Sequence, residues 1–122
     1  MAKLDSKNDL KVRSYFLSIK IIRFLETVPE KRVYWVISDQ LMRSVTSIGA
    51  NIIEAKSSAS RKEFIKFYQI SLKSANESKY WLGLLRDATS MDKNSINIIL
   101  NEVTEVANML GSSIITLKNK KF

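Results

Sequence analysis

Two apolar periodicities separated by a four-residue break constrain this chain more than any other feature. QLMRSVTSIGANIIEAK ends at Lys56, Ser57 to Ser60 interrupt, and RKEFIKFYQISLKSANESKYWLGLL follows. In the first segment Leu41, Val45, Ile48, Ile52 and Ala55 recur at spacings of three and four, the stripe of a helix with one buried face. The break carries its own start signal. Ser60 and Glu63 form a capping box, in which the serine accepts from the backbone ahead and the glutamate reaches back. Two amphipathic helices joined by so short a turn make an antiparallel hairpin. Ser44, Ser47, Gly49 and Ala50 lie beside the stripe, and residues this small let a neighbouring helix come close. Gly49 costs about 1 kcal/mol against alanine inside a helix, so its presence implies such an approach.

The flanking segments are patterned to pack onto this hairpin. A first helix over about 9–27 is capped by Asn8 or Asp9. It carries Val12, Tyr15, Phe16, Ile19 and Ile22 on one stripe, with Leu17, Ile21, Phe24 and Leu25 beside it, which predicts burial on more than one side. Pro29 closes it, because the residue before a proline is pushed out of helical geometry. The second helix spans about 33–56 and adds Tyr34 and Ile37 to its stripe. The third, about 61–89, presents Phe64, Phe67 or Tyr68, Ser71, Ala75, Ser78, Leu82 and Leu85, widened by Trp81 and Leu84. The fourth, about 94–118, starts at Asp92 or Asn94 and repeats Ile96, Ile99, Val103, Val106, Leu110, Ile114 and Leu117. Residues 1–122 are therefore expected to be one all-α domain, an antiparallel up-down-up-down four-helix bundle. Three glycines and one proline are too few for a protein of many short strands.

Composition narrows the chemistry. There is no cysteine and no histidine, so thiolate nucleophiles, cysteine-bound zinc, hydrolase triads and histidine-based metal sites are all excluded. No apolar run approaches a membrane span, and MAKLDSKNDLKV has no apolar signal core, so a soluble, cytoplasmic protein is expected. No cofactor and no metal are implied. Glu77, Glu102 and Glu105 fall at similar heights, as the carboxylates of a di-metal bundle do, but such centres also take histidines. Arg43 and Glu77 read better as an ion pair fixing the register of the hairpin, with Gln40 as an added donor. Asn51 and Glu54, one turn apart, form either a polar network under the turn or a ligand contact. Half-buried polar groups in bundles usually have internal partners, which favours the network.

The net charge is +8, and the up-down topology says where it goes. One end collects the N-terminus, the turn at 57–60 and the C-terminus. Gathered there are Lys3, Lys7, Lys11, Arg13, Lys56, Arg61, Lys62, Lys66, Lys118, Lys120 and Lys121, against Asp5, Asp9, Glu54 and Glu63. Eleven cations less four carboxylates leave a surplus of seven, while the opposite end cancels. A polarised basic surface is the footprint of a phosphate-backbone binder, although lysine also serves plain solubility. Of these cations Lys3, Lys7, Lys11, Lys56, Arg61, Lys62, Lys66, Lys118, Lys120 and Lys121 are the candidate contacts. With Phe64, Phe67 and Tyr68 assigned to the core, backbone or shape recognition is expected rather than sequence readout.

The hairpin also carries a resemblance. Ser47, Ala50, Asn51 and Glu54 make S-x-x-A-N-x-x-E, and Lys73 to Trp81 make K-S-A-N-E-x-x-Y-W. In these motifs, and over roughly Leu10 to Leu117, the chain resembles the four-helix-bundle family encoded within intervening sequences of bacterial 23S ribosomal RNA genes. The resemblance implies an antiparallel four-helix bundle, often a homopentamer, with no established catalytic activity. It also points to a related family, the accessory variability proteins of diversity-generating retroelements, which bind nucleic acid and a reverse transcriptase. From the residues themselves, Tyr34, Trp35, Tyr80 and Trp81 with the second stripe of helix one exceed what a single core buries, which suggests a homo-oligomer. The expectation is thus a non-enzymatic oligomer, a pentamer on the resemblance. It binds RNA or DNA, structured RNA foremost, with a nucleic-acid-processing protein as a further partner. The competing class is a protein-interaction scaffold or accessory subunit whose charge is incidental.

Overall fold

A computed structural model of the chain describes residues 9–120, and over that span the protein is four α-helices. These are α1 (Leu10–Leu25), α2 (Arg32–Lys56), α3 (Arg61–Ala88) and α4 (Lys93–Asn119). The expected all-α four-helix packing is what forms: α2 packs on α1 and α3, and α4 on α3 and α1. Lys3, Lys7, Lys121 and the cap candidate Asn8 lie outside the described residues.

Local chemistry sets the ends. The Asp9 carboxylate accepts from the Lys11 and Val12 amides and starts α1. Helix α1 stops at Leu25, four residues short of Pro29, where the Thr27 hydroxyl donates to the Phe24 carbonyl at 2.7 Å. Ser60 accepts from the Glu63 amide at 3.1 Å, and the Glu63 carboxylate reaches back one residue further than the standard box, to the Ala59 amide at 2.9 Å. Asp92 accepts from the Ser95 amide and hydroxyl and starts α4; these bonds hold its carboxyl below the usual range.

The core follows the periodicities in α2, α3 and α4. Leu41, Val45, Ile48, Ile52, Leu82, Leu85, Ile96, Val103 and Leu110 are fully enclosed. Helix α1 differs from expectation. It buries only one stripe, Leu10, Ser14, Leu17 and Ile21, while Tyr15, Phe16 and Ile22 face outward at 64%, 60% and 43% exposure. The cause is Ser14, which tucks against Gly49 of α2. A β-carbon at Gly49 would sit 3.2 Å from the Ser14 hydroxyl, so two small residues set how closely α1 approaches and which way it faces.

The other two glycines have no such role. A β-carbon at Gly83 or Gly111 meets nothing within 4 Å, and both lie inside helices. Gly83→Ala and Gly111→Ala should each stabilise the fold by about 1 kcal/mol through backbone entropy alone. The measurement is a denaturation midpoint that rises at unchanged slope. A midpoint that stays put would mean that these turns are not held as helix.

Between α2 and α3 the seam is made of hydroxyls. Ser78 donates to Ser44 at 2.8 Å, Ser74 to Ser47 at 3.0 Å, and Ser71 to the Ile48 carbonyl at 2.8 Å. Ser71 and Ser78 are wholly buried. These pairs lie about one turn beyond where the Ser57–Ser60 turn would place them by counting residues alone. Side chains lean toward their own helix N-terminus, which is away from the turn on α2 and toward it on α3, so levels meet with this offset.

Candidate nucleic-acid interface

The bundle brings the N-terminus of α1, the α2–α3 turn and the C-terminus of α4 to one end. Burial pushes the Tyr68 phenol up, and the Asp9 carboxylate at the start of α1 adds to the shift. The Arg61 guanidinium donates to the Lys120 carbonyl at 2.7 Å and so ties the start of α3 to the end of α4. Lys56 lies 5.7 Å from the centre of the Phe64 ring, a cation–π contact that holds its charge over the end of the bundle. An open concavity of about 800 Å³ runs over the first two turns of α3 to the end of α4, with Arg61, Lys62, Lys66 and Lys118 on its walls. A smaller one of about 370 Å³ continues across the pole between Lys56, Ser58, Phe64 and Lys120.

Pairing sorts the charges more sharply than position in sequence does. Arg13 binds Glu105 at 2.7 Å, and Lys20 binds Glu102, so the face shared by α1 and α4 is neutralised. At the far end Arg86 binds Asp87 at 2.8 Å and Asn97 at 3.1 Å, and its guanidinium holds the Asp87 carboxyl low. At the basic pole two of the three described carboxylates, Asp9 and Glu63, are occupied as helix caps. Lys62, Lys66 and Lys118 are exposed and have no partner among the described residues. Lys11 is exposed at the start of α1 and Lys120 at the end of α4. Of the expected contacts, then, Lys11, Lys56, Arg61, Lys62, Lys66, Lys118 and Lys120 stand around one end.

The polar residues Gln40, Arg43, Asn51 and Glu77 of α2 and α3 form local sets within their own helices. The ion pair expected between Arg43 and Glu77 does not form. Both are exposed on the outward sides of their helices, and each finds a partner on its own helix: Arg43 donates to Gln40 at 3.2 Å, and Glu77 accepts from the Trp81 indole at 2.9 Å. Gln40 is thus an acceptor. Asn51 donates to the Ser47 carbonyl and hydroxyl at 2.8 and 3.0 Å, which extends the serine seam toward the turn. Glu54 is exposed at the end of α2. Glu77, Glu102 and Glu105 do not converge, since Trp81, Lys20 and Arg13 hold them apart. The described residues contain no group of three or more possible metal-binding side chains and no helix long and apolar enough to cross a membrane.

A feature that the periodicities did not signal is an apolar groove of about 450 Å³ between the outer sides of α1 and α2. Tyr15, Phe16, Thr46, Gly49, Ala50 and Ile53 line it. It exists because the Ser14–Gly49 contact turns one apolar stripe of α1 outward.

A model of the 23S rRNA-intervening sequence protein family matches residues 6–112. The chain is also similar to a protein with unknown function from the S23 ribosomal protein family of Bacteroides thetaiotaomicron VPI-5482, whose crystal structure aligns at a TM-score of 0.81 and 37% sequence identity. That alignment covers 87% of this chain and 98% of the other. No curated protein matches.

Proposed function

The chain belongs to the family of 23S rRNA-intervening sequence proteins, and from that premise we propose that it is a non-enzymatic homo-oligomer that binds nucleic acid, structured RNA foremost, through the basic end of the bundle. One observation carries the reading: three lysines of one pole gather beside a single concavity with no carboxylate partner among the described residues. Arg13, Lys20 and Arg86 have carboxylate partners, whereas Lys62, Lys66 and Lys118 line an open concavity. Unpaired lysines beside a concavity bind phosphates by releasing condensed counterions, with no need for base contacts.

The apolar groove of α1 and α2 supports assembly. Tyr15 at 64%, Phe16 at 60% and Ile53 at 46% exposure are costly to leave in water, and a second copy would cover them. In a ring, a pentamer on the family resemblance, the poles of the protomers act together, so individually weak phosphate contacts multiply. The same groove favours the second reading, a scaffold that docks a nucleic-acid-processing protein and makes no nucleic-acid contact of its own.

The test is binding of the purified protein to labelled structured RNA and to duplex DNA across a salt series, with mass measured by light scattering in the same buffers. The expected result is an oligomer whose affinity falls steeply with salt, the log–log slope being about −0.9 per duplex phosphate contacted. A protein that binds neither probe at low salt has no nucleic-acid function, and the scaffold reading then stands.

A further inference from the structure

The outward face of α3 carries a pattern that the pole does not explain. Lys62, Lys66, Lys73 and Tyr80 are spaced by four and seven residues, which keeps them on one face of the helix. That face points away from the core, since Tyr68, Ser71, Ala75, Ser78 and Leu82 are buried on the other side. The three lysines are exposed and have no partner among the described residues. Tyr80 is 61% exposed. Its ring stands nearly perpendicular to that of Trp81, with centroids 5.0 Å apart and 71° between the planes. The Trp81 indole is itself fixed by its bond to Glu77, which draws that carboxylate toward the indole. The result is a row of three cations about 17 Å long with a pre-set aromatic beyond its end, the whole spanning about 27 Å.

We propose that this face is a track for an unpaired stretch of polynucleotide, with Lys62, Lys66 and Lys73 along the phosphates and Tyr80 stacking a base. The proposal rests on the nucleic-acid reading of the pole and names the part of the ligand that is held. A row of cations with an exposed aromatic fits a single strand, because every base has a π-face and a duplex hides its own. In a folded RNA the same chemistry is offered by loops, bulges and ends. The track continues from the pole through Lys62 and Lys66, so one strand can occupy both.

The experiment uses full-length protein carrying Trp35→Phe, so that Trp81 is the remaining indole. It is titrated with an oligouridylate of about 12 residues and with an RNA duplex of equal length. The single strand should bind more tightly than the duplex and change Trp81 emission. Tyr80→Ala should weaken single-strand binding at least about fivefold while Tyr80→Phe retains it. Lys73→Ala should make the single-strand salt slope shallower by about 0.7. Equal binding of both probes, with Trp81 silent and Tyr80→Ala neutral, overturns the track and leaves the pole reading intact. Failure of both probes to bind overturns both. A Tyr80→Ala protein of lower mass by light scattering and unchanged affinity would assign the ring to a contact between subunits and overturn the track.

Discussion

Replacing Lys62, Lys66, Lys118 and Lys120 together with glutamate should abolish nucleic-acid binding while leaving the fold and the assembly as they are. All four side chains are exposed, so reversal removes no packing. The helix caps at Asp9, Ser60 and Asp92 are untouched. Four fewer phosphate contacts should make the log–log salt slope shallower by about 3 to 4, and the new carboxylates repel the backbone besides, so affinity at low salt should fall by at least about a hundredfold. Reversal at Arg13 and Lys20, whose charges are already answered by Glu105 and Glu102, is the matched control and should cost far less. The readout is fluorescence anisotropy with labelled RNA, alongside far-UV circular dichroism and light scattering. Were the quadruple variant to bind RNA with the parent's affinity and slope, the pole would be serving solubility alone. Capture of a protein partner that survives the quadruple reversal, in a chain that never bound RNA, would instead identify the scaffold.

The second large effect concerns what holds the hairpin together. Ser78→Leu should destabilise the protein by about 3 kcal/mol or more, because the site has no spare volume and Ser44 loses a hydrogen-bond partner. Ser78 is wholly buried, and its hydroxyl lies 2.8 Å from both the Ser44 hydroxyl and the Ser74 carbonyl, within hydrogen-bond reach of each. Against a total stability of about 5–15 kcal/mol, such a loss leaves a marginal fold. The melting temperature should drop by about 10 °C. Ser78→Ala keeps the close approach and removes only the bond, so its cost should be about 1 kcal/mol. Denaturation of the pair decides between them. If leucine proves as mild as alanine, α2 and α3 are not packed at serine distance and the seam is looser than its hydroxyl geometry indicates.

These two predictions rest on different levels of the structure, and they differ in how legible they were. The lysines of the pole could be assigned to one end by counting helices, because four periodic segments with short links leave little choice of topology. The serine seam could be suspected from Ser44, Ser47, Ser71 and Ser78 at helical spacings. Its pairing could not, because the lean of side chains toward each helix N-terminus shifts opposite levels by about a turn. The expected Arg43–Glu77 pair failed for a related reason: height along the axis says nothing of azimuth, and both side chains point outward to partners on their own helices. Ser14 was missed because a serine reads as surface. Its burial against Gly49 decided which stripe of α1 faces the core.

The sequence by itself therefore determined the class of fold, the number of helices, the capping box at Ser60, the cores of α2, α3 and α4 and the end of the bundle to which the basic residues go. All of these depend on interactions between near neighbours or on a repeat of three to four residues, which a linear pattern records. The tertiary structure alone decided which cations are left unpaired, which stripe of α1 is exposed, how the serines pair and that Lys62, Lys66, Lys73 and Tyr80 share an open face. Those outcomes turn on the rotation of each helix about its own axis and on partners as far apart as Arg13 and Glu105. Rotation is settled by the fit of small side chains such as Ser14 and Gly49 across an interface, and a single chain's hydrophobic pattern does not encode that fit.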